Sequence, residues 1–172
     1  MKAISLTQPW AHLVMLGAKQ WETRSWSTTY RGQIAIHASK NYPGSAQSME
    51  REPFYKEALY LNGWQYTYPS LSCGRIIALA EIVDCQPTEN FRQEGFTRRD
   101  SDPPYRYIEI PDSEFRFGDF SAGRFAFKLE KILRIPQIEC KGALGIWNVP
   151  DLIAAQILDD LKHLQREEAS MR

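Results

Sequence analysis

The chain has 172 residues, 43% of them hydrophobic and 12% aromatic, with 21 basic and 21 acidic side chains and a formal net charge of zero. That length suffices to bury a core and suggests one domain carrying insertions. No apolar run approaches the ~20 residues of a membrane span, and the opening MKAISLTQPW lacks the apolar stretch of a secretory leader. The three scattered cysteines, Cys73, Cys85 and Cys140, fit neither a disulfide framework nor zinc-ligand spacing. The expectation is a cytoplasmic protein with no membrane partner, no metal site and no cofactor.

In chain order, PWAHLVMLGAKQ (9–20) predicts a first helix. Pro9 suits its first turn, Thr7 its N-cap, and Gly17 a left-handed exit. Trp10, Leu13, Val14 and Leu16 nearly fill one face. QWETR then reads as extended, so Glu22 and Arg24 share one strand face and Thr23 and Ser25 the other. QIAIHAS (33–39) alternates, with Ile34, Ile36 and Ala38 on one face and His37 opposite. A short helix is expected within 49–63, broken by Pro53. RIIALAEIVD (75–84) is apolar on both faces, the pattern of a strand covered on both sides. Glu81 is in phase with Ile77 and Leu79 and is expected to point inward, near Lys19, Arg24 or Arg124. Residues 98–123, with a Pro-Pro step, acids and aromatics, read as a long loop or irregular hairpin. GRFAFKLEKILRI (123–135) reads as a long strand with Phe125, Phe127 and Leu129 in phase. The last segment is an amphipathic helix with Leu152, Ile153, Ile157, Leu161 and Leu164 as its stripe. This order of elements favours a small mixed barrel over a βαβ sheet.

Charge is unevenly spread. Residues 1–40 hold five bases against one acid, and residues 81–119 hold ten acids against five bases. A local positive cleft is compatible with that asymmetry, and so is a solvated face. Within the basic segment, GAKQWETRSW places Lys19, Glu22 and Arg24 close together between two tryptophans. Such a set can hold a planar polar ligand or a phosphate, or act in proton transfer. It can equally be an exposed ion-pair cluster contributing ~1 kcal/mol or less per pair. Trp26 offers a stacking surface, and Arg31 beside Gly32 a phosphate contact. His37 is read first as a satisfied structural histidine.

SLTQPWAHLVMLGAKQWETRSW resembles the signature of ASCH domains, a Q-P-W opening followed by G-x-K-x-x-E-x-R, here Gly17, Lys19, Glu22 and Arg24. STTYRGQIAIHASK, FGDFSAGRFAFKLEKI and CKGALGIWNVP are similar to further elements of larger bacterial and phage members. The resemblance implies an α+β, PUA-like fold, a small curved β-barrel with flanking helices. It implies a domain over 1–150, with insertions near 41–72 and 86–119, and a helix over 150–172 packed on it. It also implies RNA or a nucleotide-like ligand as partner, in a cleft lined by the G-x-K-x-x-E-x-R segment. Lys19, Glu22, Arg24 and Glu81 would form its reactive centre, and Gln8, Trp26, Tyr30, Arg31, His37, Lys40 and Arg124 would contact the ligand. Small relatives that deacetylate N4-acetylcytidine suggest a metal-independent hydrolase, or a ribonuclease, as the alternative. Their threonine corresponds here to Glu22. A third possibility is a protein-interaction module using residues 100–120.

Overall fold

Two-sided burial decides how this chain folds. The structure, a computed structural model, describes residues 1–49, 51–62, 71–95 and 107–170. Six strands form one mixed sheet: β1 (Lys2–Leu6), β2 (Trp21–Arg24), β3 (Gly32–Ala38), β4 (Arg75–Pro87), β7 (Phe125–Glu139) and β8 (Ile146–Asn148), in the order β2-β7-β4-β3-β1-β8. β1 runs parallel to β3, and the other neighbours are antiparallel. β5 (Phe91–Gln93) and β6 (Ile108–Ile110) make a separate parallel pair. The helices are α1 (Trp10–Met15), α2 (Gly44–Met49), α3 (Pro53–Leu61), α4 (Asp112–Arg116) and α5 (Asp151–Ser170). The sheet curls into a half-barrel with helices flanking it, the expected PUA-like α+β architecture.

Inside the curl, Ile4, Leu6, Ile34, Ile36, Ala80, Ile82, Phe127 and Leu129 pack with Ala11, Val14 and Met15 of α1. On the outer face, Ala3, Ala35, Ile76, Leu79 and Ile138 pack with Ile157 of α5. With both faces covered, the middle of β3 (Ile34, Ala35, Ile36) and the first half of β4 (Ile76 to Ala80) are uninterrupted apolar runs. Ile157 is fully buried and Ile153 and Leu161 are partly so, but Leu152, expected in the same stripe, is 88% exposed in the first helical turn.

Curvature comes from register shifts in β4, at Ile76/Ala78, Leu79/Glu81 and Ile82/Asp84. A bulge inserts a residue and inverts the alternation beyond it. Ile77 and Ala78 therefore both reach the inner core, which strict alternation forbids. Glu81 follows the outer phase of Leu79, and its carboxylate pairs with Lys131 Nζ at 2.6 Å. The inward direction expected for Glu81 is corrected by these bulges. Thr7 does not cap α1 either. The Gln8 side-chain oxygen accepts from the His12 amide at 3.2 Å, and Thr7 contributes only its carbonyl, to the Ala11 amide. Of residues 98–123, those described from 107 onward contain β6 and α4, and 98–106 lie outside the described residues.

Candidate functional site

The site begins where α1 stops. Gly17 takes φ of 77°, and the Lys19 amide donates back to the Leu13 carbonyl, so the chain turns sharply at the helix end. This carries the Lys19 side chain inward, leaving it 1% exposed. A buried ammonium requires acceptors. Lys19 Nζ donates to the Trp21 carbonyl and lies 3.6 Å from Glu22 Oε2. Glu22 Oε1 is in turn 3.0 Å from Arg24 Nε, and Arg24 Nη2 donates to the Ser5 carbonyl at 2.6 Å. The three motif residues form one chain of charges, with Glu22 in the middle.

A fourth charge supports them from the far end of the sequence. Glu114 of α4 is 7% exposed and accepts from the Gln20 amide at 2.8 and 3.0 Å and from the Trp21 amide at 2.8 Å. Burial raises its pKa, while Lys19 and the two amides act in the opposite direction. Glu114 holds the start of β2 in place. Nothing in its local sequence distinguishes it, because its partners lie 94 and 93 positions away.

Beside this cluster lies a cleft of about 300 Å³. Glu22 and Thr23 line it from β2, with Trp10 of α1, Arg116 to Asp119 at the end of α4, and Arg124. Neither Lys19 nor Arg24 is among the lining residues. The Thr23 hydroxyl accepts from the Asp119 amide at 3.0 Å, tying the two walls together. Gly118 is required there, since a Cβ would stand 2.6 Å from the Phe120 ring and 3.1 Å from Thr23 Cγ2. Both arginines are held by carboxylates: Arg116 Nε lies 2.6 Å from Asp112, and Arg124 Nε lies 3.3 Å from Asp119. Hydrogen bonds from the Ser121 hydroxyl and amide, then Arg124, hold the Asp119 carboxyl below its usual range.

The other sequence-predicted residues are dispersed. His37 and Lys40 line a separate, larger groove. Gln8 is buried and donates to the Ser72 carbonyl at 2.8 Å. Trp26 packs edge-on against Phe127 at 5.1 Å, partly covered by the inner core. The Tyr30 hydroxyl donates to the Gln33 carbonyl. Arg31 donates to the Thr28 and Tyr30 carbonyls and sits 3.6 Å from Asp84. Glu81 faces Lys131, apart from the cluster. Sequence reasoning did not single out Trp10, Arg116, Asp119 or Glu114 for this site. The first three become neighbours only through the packing of α4 beside β2.

Residues 4–115, more than half of the chain, match the ASCH domain family. The chain belongs to that family. ASCH domains are nucleic-acid-binding modules as a family. Activating signal cointegrator 1 from Homo sapiens is 29% identical over 107 residues, covering 61% of this chain and 18% of that protein. The Mus musculus protein of the same name is 29% identical over 92 residues, covering 53% of this chain and 15% of the relative. This ASCH chain thus matches less than a fifth of either relative. The matched region contains Lys19, Glu22, Arg24 and Glu114, whereas the cleft wall from Arg116 to Arg124 lies beyond it. No described helix is long and apolar enough to cross a membrane. Among the described residues, no group of three or more His, Cys, Asp or Glu side chains is arranged to hold a metal ion.

Proposed function

We propose that this ASCH domain binds RNA or a modified nucleotide in the cleft between β2 and the segment following α4. The observation that carries this reading is the placement of Glu22. It is the one member of the charged motif that lines the cleft, and Lys19 and Arg24 both pair with it. A carboxylate fixed in this way is a preorganised acceptor for the exocyclic amine of a base. The arginines at the rim supply the phosphate contacts. Their carboxylate partners, Asp112 and Asp119, are 47% and 58% exposed, and such surface pairs contribute about 1 kcal/mol or less. An incoming phosphate can therefore displace them at small cost. Trp10 gives one wall an aromatic surface.

Binding is favoured over lysine-based hydrolysis because Lys19 is 1% exposed and outside the cleft lining, so a ligand meets Glu22 first. The test is titration of intrinsic tryptophan fluorescence with nucleosides and short single-stranded RNAs at low and high salt. Glu22→Gln should weaken binding roughly 10- to 100-fold, the loss of one charge-assisted hydrogen bond. Unchanged affinity in that variant refutes the assignment. Chromatography after incubation with N4-acetylcytidine reads the hydrolase alternative. Deacetylation lost in Lys19→Ala would replace binding with turnover as the function.

A further inference from the structure

The second hollow, of about 960 Å³, shares none of its lining residues with the cleft. Its floor is a pair of side chains standing opposite each other on the parallel strands, Ser5 of β1 and His37 of β3. His37 is 2% exposed. Its Nε2 lies 2.9 Å from the Cys140 carbonyl, which only accepts, so that nitrogen carries the proton and Nδ1 faces the Ser5 hydroxyl at 3.1 Å. The Ser5 hydroxyl also lies 3.0 Å from the Ala143 carbonyl, so its single proton is shared between that oxygen and His37 Nδ1, and its oxygen accepts from Trp147 Nε1 at 3.2 Å. The 140–145 turn is thereby pinned onto the floor. Gly142 permits this approach, since a Cβ there would stand 2.4 Å from the His37 ring and 2.7 Å from Ser5 Oγ.

Charge on the walls is predominantly positive. Among the described lining residues, Lys40, Arg75 and Lys141 face one acid, Glu139. Arg75 is paired with Glu139 at 2.7 Å, but that carboxylate is 80% exposed and open to exchange. Lys40 and Lys141 have no ion-pair partner among the described residues. Lys141 is mounted on the pinned turn, and the Lys40 stem lies against Gly74. Among the described lining residues the imidazole of His37 is the one aromatic ring, and both its nitrogens are engaged. Among these described residues a base would find no open stacking surface, whereas a phosphate would find three cations and the hydroxyl of Ser39.

We infer that this groove is a track for the phosphodiester backbone of single-stranded RNA, contacting phosphates and not reading bases. The inference rests on the nucleic-acid reading of the cleft and extends it to a longer strand. It predicts a particular salt dependence, because each phosphate contact on a single strand adds about 0.7 to the slope of log affinity against log salt.

The experiment is fluorescence anisotropy of a labelled oligouridylate of about twelve nucleotides, with the full chain, between about 50 and about 200 mM salt. Replacing Lys40 and Lys141 together with Gln removes two contacts, so the fall in affinity over that range should be about sevenfold smaller than in wild type. The control Lys56→Gln with Lys162→Gln removes equal charge elsewhere and should keep the wild-type slope. Identical slopes for wild type and the groove variant overturn the proposal, as does an equal change in the control. Equal displacement of the RNA by a polyglutamate peptide of matched charge also overturns it, in favour of an acidic protein partner. Nucleoside binding by the cleft is measured in parallel. If it survives in the groove variant while the slopes are identical, the track fails and the cleft reading stands. If Glu22→Gln leaves nucleoside binding unchanged while the groove variant alters the slope, the cleft reading fails instead.

Discussion

Removing Glu114 tests whether a carboxylate remote in sequence holds the motif segment in place. Glu114→Ala deletes the acceptor of two main-chain N–H groups and the second carboxylate near Lys19. A buried donor left without a partner costs about 1–3 kcal/mol. The Trp21 amide is buried and bears that cost in full, while the Gln20 backbone is exposed enough for water to replace part of its bond. Weakened compensation of the 1% exposed Lys19 adds a further share. The sum is about 3 kcal/mol, the low end of the range for breaking a buried ionic arrangement. Glu114→Gln keeps one carbonyl oxygen and should lose about half as much. Urea unfolding with an unchanged m-value reads both. A loss below about 1 kcal/mol for Glu114→Ala would refute the reasoning. A second readout uses pH. Burial raises the Glu114 pKa in the folded chain, so the folded state holds that proton more readily than the unfolded state. This contribution to stability therefore falls as pH rises from the ordinary carboxylate range through the folded value. Gln lacks that slope, so the gap between Glu114→Gln and wild type should narrow from acid to neutral pH.

Three further perturbations probe the frame around the site. His12 in α1 is buried, and burial followed by Arg134 lowers its pKa from 6.5 to about 4. The unfolded chain binds the proton first, so stability is lost as pH falls from 6.5 toward 4, by on the order of 3 kcal/mol in all, and His12→Gln should flatten this part of the pH–stability curve. Gly142→Ala should cost about 1–3 kcal/mol by urea unfolding, as its methyl group drives into His37 and Ser5. Ile157→Ala should lower stability by about 2–5 kcal/mol, whereas Leu152→Ala should change it by no more than about 0.5 kcal/mol, a contrast that checks which face of α5 meets the sheet.

Local features were legible wherever a short-range rule governed them. Gly17 marked the helix exit because only a left-handed residue lets the chain reverse there, and it has a positive φ. The apolar run of β4 announced a strand covered on both faces. The G-x-K-x-x-E-x-R spacing placed Glu22 and Arg24 on one strand face, and their side chains meet. The misread features depended on events that spacing does not encode. Register shifts in β4 inverted the phase of Glu81. Gln8 took the capping contact assigned to Thr7, because its longer side chain reaches the His12 amide. Leu152 fits a helical stripe by number but lies in the first turn of α5 and is left exposed. Glu114 and the Arg116–Asp119 wall belong to a segment whose position beside β2 is set by long-range packing.

That segment changes what the charged motif can say about specificity. Of Lys19, Glu22 and Arg24 only Glu22 lines the cleft, held by the other two, while Arg116, Phe117, Gly118 and Asp119 line it from the segment at the end of α4. A chain keeping the first set and replacing the second would present an unchanged keyhole plate behind a different lock. Ligand choice in such proteins should accordingly travel with the stretch from α4 to Arg124, and grafting that stretch alone between two of them should transfer it.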